Sequence, residues 1–242
     1  MKHKGMDMMK RMTVVTMLVG IAVVGGAAWA ADGWLGGLFG GKKETPAAPV
    51  AQVAAAPAET DNALDIMPTD RVLGSMMAPV TMIEYASMTC SHCADFTTKT
   101  MPEVKKNWVD TGKVKYVLRD LAWDNLAVGM AKVARCAPAE QYYPLVDALF
   151  ANQMNIVTNN DPLKEIKRVA ATFGMDDAKV EACVKDADLH AQVEASKKTA
   201  MEVLGIRGTP STFINGVKVD GFASYDEVKQ VLEAQYAATQ AK

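Results

Sequence analysis

The chain has 242 residues, half of them hydrophobic and 22% charged, with a net charge of -2 at pH 7. That length and composition suit one sizeable globular core with room for a subdomain. The near-neutral balance, with no basic block outside the N-terminus, excludes the electrostatic footprint of a nucleic-acid-binding protein.

The first thirty residues read as a targeting segment. Lys2, Lys4, Lys10 and Arg11 precede an uncharged apolar run from Met12 to Ala28, and Ala28-Trp29-Ala30 fits a small-x-small cleavage site. The run is long for a signal peptide and almost long enough to span a bilayer. Two outcomes stay open: a cleaved signal with Ala31 as the mature N-terminus, or an uncleaved N-terminal anchor. Both put the globular part outside the cytoplasm, in the periplasm or cell envelope. Residues 31–62 are Gly-, Ala- and Pro-rich and read as a flexible linker. Order is expected from about residue 63 to residue 240.

A turn at Gly74–Pro79 leads into Val80-Thr81-Met82-Ile83-Glu84-Tyr85, a buried strand. The strand runs into Cys90-Ser91-His92-Cys93. A helix then follows on the spacing of Phe96, Thr100, Val104 and Trp108, and Gly112 closes it. Lys113 to Arg119 is a second strand, so the whole reads as a βαβ unit. Residues 124–204 look helical throughout. Asp161-Pro162 and Asp176 are helix starts, and Gly174 is a stop. Ser211-Thr212-Phe213-Ile214 and Val217-Lys218-Val219 flank an Asn215-Gly216 hairpin turn, and a last helix starts at Ser224. The fold class is α/β, with an inserted helical block. The many methionines, Met76, Met77, Met82, Met88, Met101, Met130 and Met154 among them, are expected to fill the core.

The chemistry is expected at Cys90 and Cys93. Disulfide exchange needs a thiolate, and an ordinary thiol is largely protonated at neutral pH. A cysteine at a helix start faces unpaired N–H groups and the positive end of the dipole, so Cys90 is the expected nucleophile. His92 can add charge or a hydrogen-bond donor. Cys93, one turn on, can close the ring as the resolving thiol. A zinc site would need four ligands. The chain has no second C-x-x-C, and its other histidines are His3 and His190.

These residues resemble the DsbA-like branch of the thioredoxin superfamily. The resemblance is carried by Ala78–Ser87, by Cys90-Ser91-His92-Cys93 and by Gly208–Gly216, and it covers about residues 63–238. It implies a thioredoxin-like fold with a helical insertion at about 124–204, and the activity of an exported thiol oxidase. Pro210 matches the family's cis-proline, with Thr209 facing a substrate chain. Glu84 matches a buried acid able to relay a proton to or from Cys93. For Lys115 two readings stay open: a match to a lysine that pairs with that acid, or an exposed strand lysine. The dipeptide is Ser91-His92 where the best-known oxidases have Pro-His, which leaves the strength of the oxidising poise open.

Cys136 and Cys183 fall on apolar helix faces in the insertion. In an oxidising compartment they are expected to form a structural disulfide; two buried thiols are the alternative. The expected function is donation of the Cys90–Cys93 disulfide to reduced exported proteins, with reoxidation by a membrane redox partner. No cofactor, metal or nucleic acid is expected, and contact with the membrane only through an N-terminal anchor. A reductase or isomerase of the same fold, or a metal-binding chaperone module, are the competing readings.

Overall fold

The computed structural model describes residues 62–219 and 224–241. The expected targeting segment at 1–30 and nearly all of the linker at 31–62 lie outside these residues. Among the described residues, no helix is long and apolar enough to cross a membrane.

Five strands form one sheet: β1 (Val72–Leu73), β2 (Val80–Ala86), β3 (Val114–Asp120), β4 (Ser211–Ile214) and β5 (Val217–Val219), in the order β1-β3-β2-β4-β5. β2 and β3 are parallel, with Glu84 beside Leu118 and Met82 beside Tyr116, and the other pairs are antiparallel. Parallel neighbours need a crossover, and the helix α1 (91–109) supplies it. Phe96, Thr100, Val104 and Trp108 are all buried on α1. A strict four-residue repeat drifts around a 3.6-residue helix. Wider, π-type turns at Phe96–Thr100 and Lys105–Val109 reduce that drift and keep the stripe against the sheet.

The β2 side chains alternate between two apolar layers. Val80, Met82 and Ala86 join Val114, Tyr116 and Leu118 under α1 and the helical block. Ile83 and Tyr85 join Val117, Phe213, Leu64 and Ile206 on the opposite face. With both faces covered, β2 is buried at six of its seven positions, which is why it reads as a nearly continuous apolar run.

Between β3 and β4 lie α2 (Asn125–Cys136), α3 (Tyr142–Ala151), α4 (Gln153–Val157), α5 (Pro162–Ala171), α6 (Asp177–Lys185) and α7 (187–203). Asp124, Asp161, Asp176 and Asp186 cap α2, α5, α6 and α7 by accepting a backbone N–H three residues on. The single apolar face read for α2 is too narrow: Lys132 and Arg135 are buried as well. Lys132 donates to Val184 O at 2.5 Å, and Arg135 pairs with Asp120. Cys136 on α2 and Cys183 on α6 are disulfide-bonded, with Cα atoms 5.9 Å apart. Asn215 and Gly216, both at positive φ, turn β4 into β5. α8 (Tyr225–Gln240) opens on a Ser224/Glu227 capping box.

Two readings need correction. The strand β1 leaves no signal in the sequence, because two residues carry no periodicity. Of the methionines expected inside, Met76, Met77 and Met154 are exposed, while Met82, Met88, Met101 and Met130 are buried.

Candidate active site

β2 ends at Ala86, and a tight turn carries the chain into α1. The Cys90 N–H donates to Ser87 O at 3.0 Å, and the Cys90 carbonyl accepts from Ala94 N at 3.1 Å. Cys90 is the N-cap of α1, with an extended backbone (φ -81°, ψ 120°). The side chain is therefore half-buried at the mouth of the helix, while Cys93, one turn in, is fully buried. Both cysteines carry free thiols.

From the far end of the helical block the chain brings Thr209-Pro210 against this turn. The peptide between them is cis, and Cys90 Sγ lies 3.3 Å from the Thr209 carbonyl oxygen. The Thr209 hydroxyl oxygen accepts from the Trp123 indole N–H at 3.2 Å.

The surroundings split the two thiols. A hydrogen bond from Cys93 pulls the Cys90 pKa down to about 5, with help from Thr209 and from the backbone N–H groups of Cys93 and His92, against an opposing effect of burial. Cys93 is pushed strongly up by its hydrogen bond to Cys90, by burial and by the nearby charge of Glu84. His92 is exposed. Its backbone N–H is one of the groups that lower the Cys90 pKa.

Glu84 lies on β2 beneath the pair and is fully buried. Burial raises its pKa to about 7, against a hydrogen bond from Tyr116 that lowers it. Tyr116 Oη donates to Glu84 Oε2 at 2.5 Å. Of the two readings of Lys115, the pairing with this acid is not formed. The neighbouring Tyr116 occupies the sheet face that Glu84 shares, so Lys115 faces away, and its ammonium donates to Ala78 O at 2.6 Å.

Several contacts around the site escape the sequence. Gln153 on α4 donates to Met88 O at 2.8 Å and to Cys90 O at 2.9 Å. Thr89 donates to Asp124 at 2.7 Å. The Trp123-Asp124 connector thus touches the residue before Cys90 and the residue before Pro210. Asp124 could have been found as a helix cap, and Tyr116 by strand parity. Gln153 leaves no local signal.

A thioredoxin family model matches residues 67–234. A Rickettsia prowazekii protein, whose name assigns it provisionally to the protein-disulfide oxidoreductases, is 26% identical over 165 residues, 68% of this chain and 60% of that one. Disulfide bond formation protein D of Bacillus subtilis is 24% identical over 176 residues, 68% of this chain and 76% of that one. The chain spans 56% to 61% of the length of the Rickettsia relatives it matches. Among solved structures, alpha-DsbA1 of Wolbachia pipientis superposes with a TM-score of 0.71 at 28% identity, covering 75% of this chain and 98% of that chain.

Proposed function

The chain belongs to the thioredoxin family, with a DsbA-like fold, and from that premise we propose that it is an exported dithiol oxidase that donates the Cys90–Cys93 disulfide to reduced proteins. The observation that carries this reading is the opposed acidity of the two thiols: Cys90 half-buried and driven down to about 5, Cys93 buried and driven up. A thiolate stabilised in the dithiol form makes the disulfide the less stable partner and hence an oxidant.

In the reaction, a substrate thiolate attacks Cys90 Sγ. The Cys90–Cys93 bond breaks, and Cys93 leaves with the electron pair. Glu84, with its pKa held near 7, gives Cys93 a proton. The second substrate thiolate then attacks the substrate sulfur of the mixed disulfide, and Cys90 departs as its favoured thiolate. Thr209 and Pro210, beside Cys90 Sγ, offer backbone to the substrate chain during the mixed-disulfide stage. The enzyme is left reduced, and a membrane redox partner takes its two electrons. The basic and apolar start of the chain supports export by a signal or anchor at residues 1–30. The same exchange run from a reduced enzyme would make a reductase or isomerase.

The test mixes oxidised protein with a reduced, unfolded two-cysteine substrate and follows substrate thiols by alkylation and mass. The wild type is expected to oxidise the substrate, while Cys90→Ser and Cys93→Ser, neither of which can form the Cys90–Cys93 disulfide, are expected to leave it reduced. Substrate oxidation by Cys90→Ser would overturn the assignment.

A further inference from the structure

The buried acid of this site is held by a partner that the family resemblance does not provide. Tyr116 reaches Glu84 because β2 and β3 run parallel with Met82 beside Tyr116, so residues 82, 84 and 116 share one face of the sheet. The Tyr116 hydroxyl occupies Oε2 of Glu84, and among the described residues Oε1 has no hydrogen-bond partner although it is buried. An unpaired oxygen in a fully buried carboxyl is costly, and it leaves an acceptor open in a dry site close to Cys93. Tyr116 is itself fixed: its ring packs on Tyr143 with centroids 5.6 Å apart, and Tyr143 is held by the backbone of Arg71 and Leu118.

We propose that Tyr116 is a positioning residue for the exchange reaction, fixing one oxygen of Glu84 so that the other passes the proton to and from Cys93. This rests on the disulfide-exchange reading above. In the ring-closing direction, the Glu84 carboxylate takes the proton from the Cys93 thiol, and Cys93 Sγ attacks Cys90 Sγ of a mixed disulfide. The bond between Cys90 and the bound sulfur breaks, and the released thiolate carries away the electron pair. In the opening direction the same proton returns to Cys93.

The groups that face Glu84 determine how the step responds to pH. The Tyr116 hydrogen bond and the Lys105 charge on α1 favour the carboxylate; burial and the Cys90 thiolate disfavour it. Lys105 is itself paired with Asp147 on α3. Cys93 on α1 and Tyr142 and Tyr143 on α3 complete the titratable groups around the pair. Taking away the Tyr116 hydroxyl removes a stabiliser of the carboxylate, so the acid titrates higher. Ring closure uses the carboxylate as base, so its rate rises through the Glu84 titration, and the variant requires a higher pH for the same rate.

The experiment reacts reduced protein with oxidised glutathione and quenches with acid. Mass separates the mixed disulfide on Cys90 from the closed Cys90–Cys93 ring. In Tyr116→Phe, formation of the mixed disulfide is not slowed, while the ring-closing midpoint moves up by about one pH unit, roughly a tenfold loss of rate below the midpoint, with convergence at high pH. In a Glu84→Gln background, Tyr116→Phe adds no further loss. A carbon-13 titration of the Glu84 carboxyl in Cys90→Ser reads the same upward movement without any turnover. An unchanged ring-closing midpoint, or an equal slowing by Tyr116→Phe with Glu84→Gln already present, overturns the proposal. A wild type that forms no mixed disulfide at Cys90 overturns the exchange reading and the proposal with it.

Discussion

Cys90 and Cys93 stand three residues apart at the head of one helix, yet their surroundings move them in opposite directions. The Cys90 sulfur can meet the His92 and Cys93 N–H groups because it sits outside the first turn. Cys93 sits inside that turn, against apolar core and above an acid. Folding lowers the Cys90 pKa, so the thiolate stabilises the reduced native state fully above the ordinary thiol range. That contribution is lost as the pH falls toward about 5. Ultraviolet titration of thiolate absorbance in the reduced protein should therefore give a midpoint of about 5. The Cys93→Ala variant should titrate higher than that, because the hydrogen bond from the Cys93 side chain is the first contributor to the shift. A midpoint in wild type near the ordinary value of about 8.5 would contradict the account. The cysteines, Thr209, Pro210 and Glu84 were all readable as residues with a chemical reason to be where they are. The Lys115 pairing was not, because one residue of strand parity decides which side chain meets Glu84.

Elements from distant parts of the chain hold the site, and their contacts divide by how local their cause is. The strand β2, the capped starts of α5 and α6, and the hairpin at Asn215-Gly216 follow from short-range patterns and were visible in the sequence. Gln153 was not, because its two hydrogen bonds cross more than sixty residues. The segment before β1 is a second case. Arg119 at the end of β3 pairs with Asp70, both side chains being nearly fully buried. It also donates to Ala63 O at 2.6 Å and to Asp65 O at 2.5 Å. This clamp covers the sheet face opposite Glu84. Replacing Arg119 by Met strands a buried carboxylate and should cost about 3–5 kcal/mol in denaturant unfolding, largely recovered in Arg119→Met/Asp70→Leu. A loss below about 1 kcal/mol would show that the pair does not secure the segment.

At the scale of the molecule, the site lies where the parallel strands end. β2 delivers the Cys90 turn, β3 delivers the Trp123-Asp124 connector, and the return from the helical block delivers Thr209-Pro210. Ligand sites gather at the carboxyl ends of parallel strands because the loops there converge over the sheet. The fold class and the helical insertion were legible because the βαβ unit and the helix caps are local; the central, nearly all-round burial of α2 arises only when its neighbours assemble. What sets the direction of the chemistry is the balance between dithiol and disulfide across this whole arrangement. The direct measurement is the reduction potential of Cys90–Cys93, by equilibration with glutathione in the Cys136–Cys183-bonded protein. The account predicts an oxidising pair, at about -120 to -200 mV; a value near about -270 mV, that of thioredoxin, would contradict it.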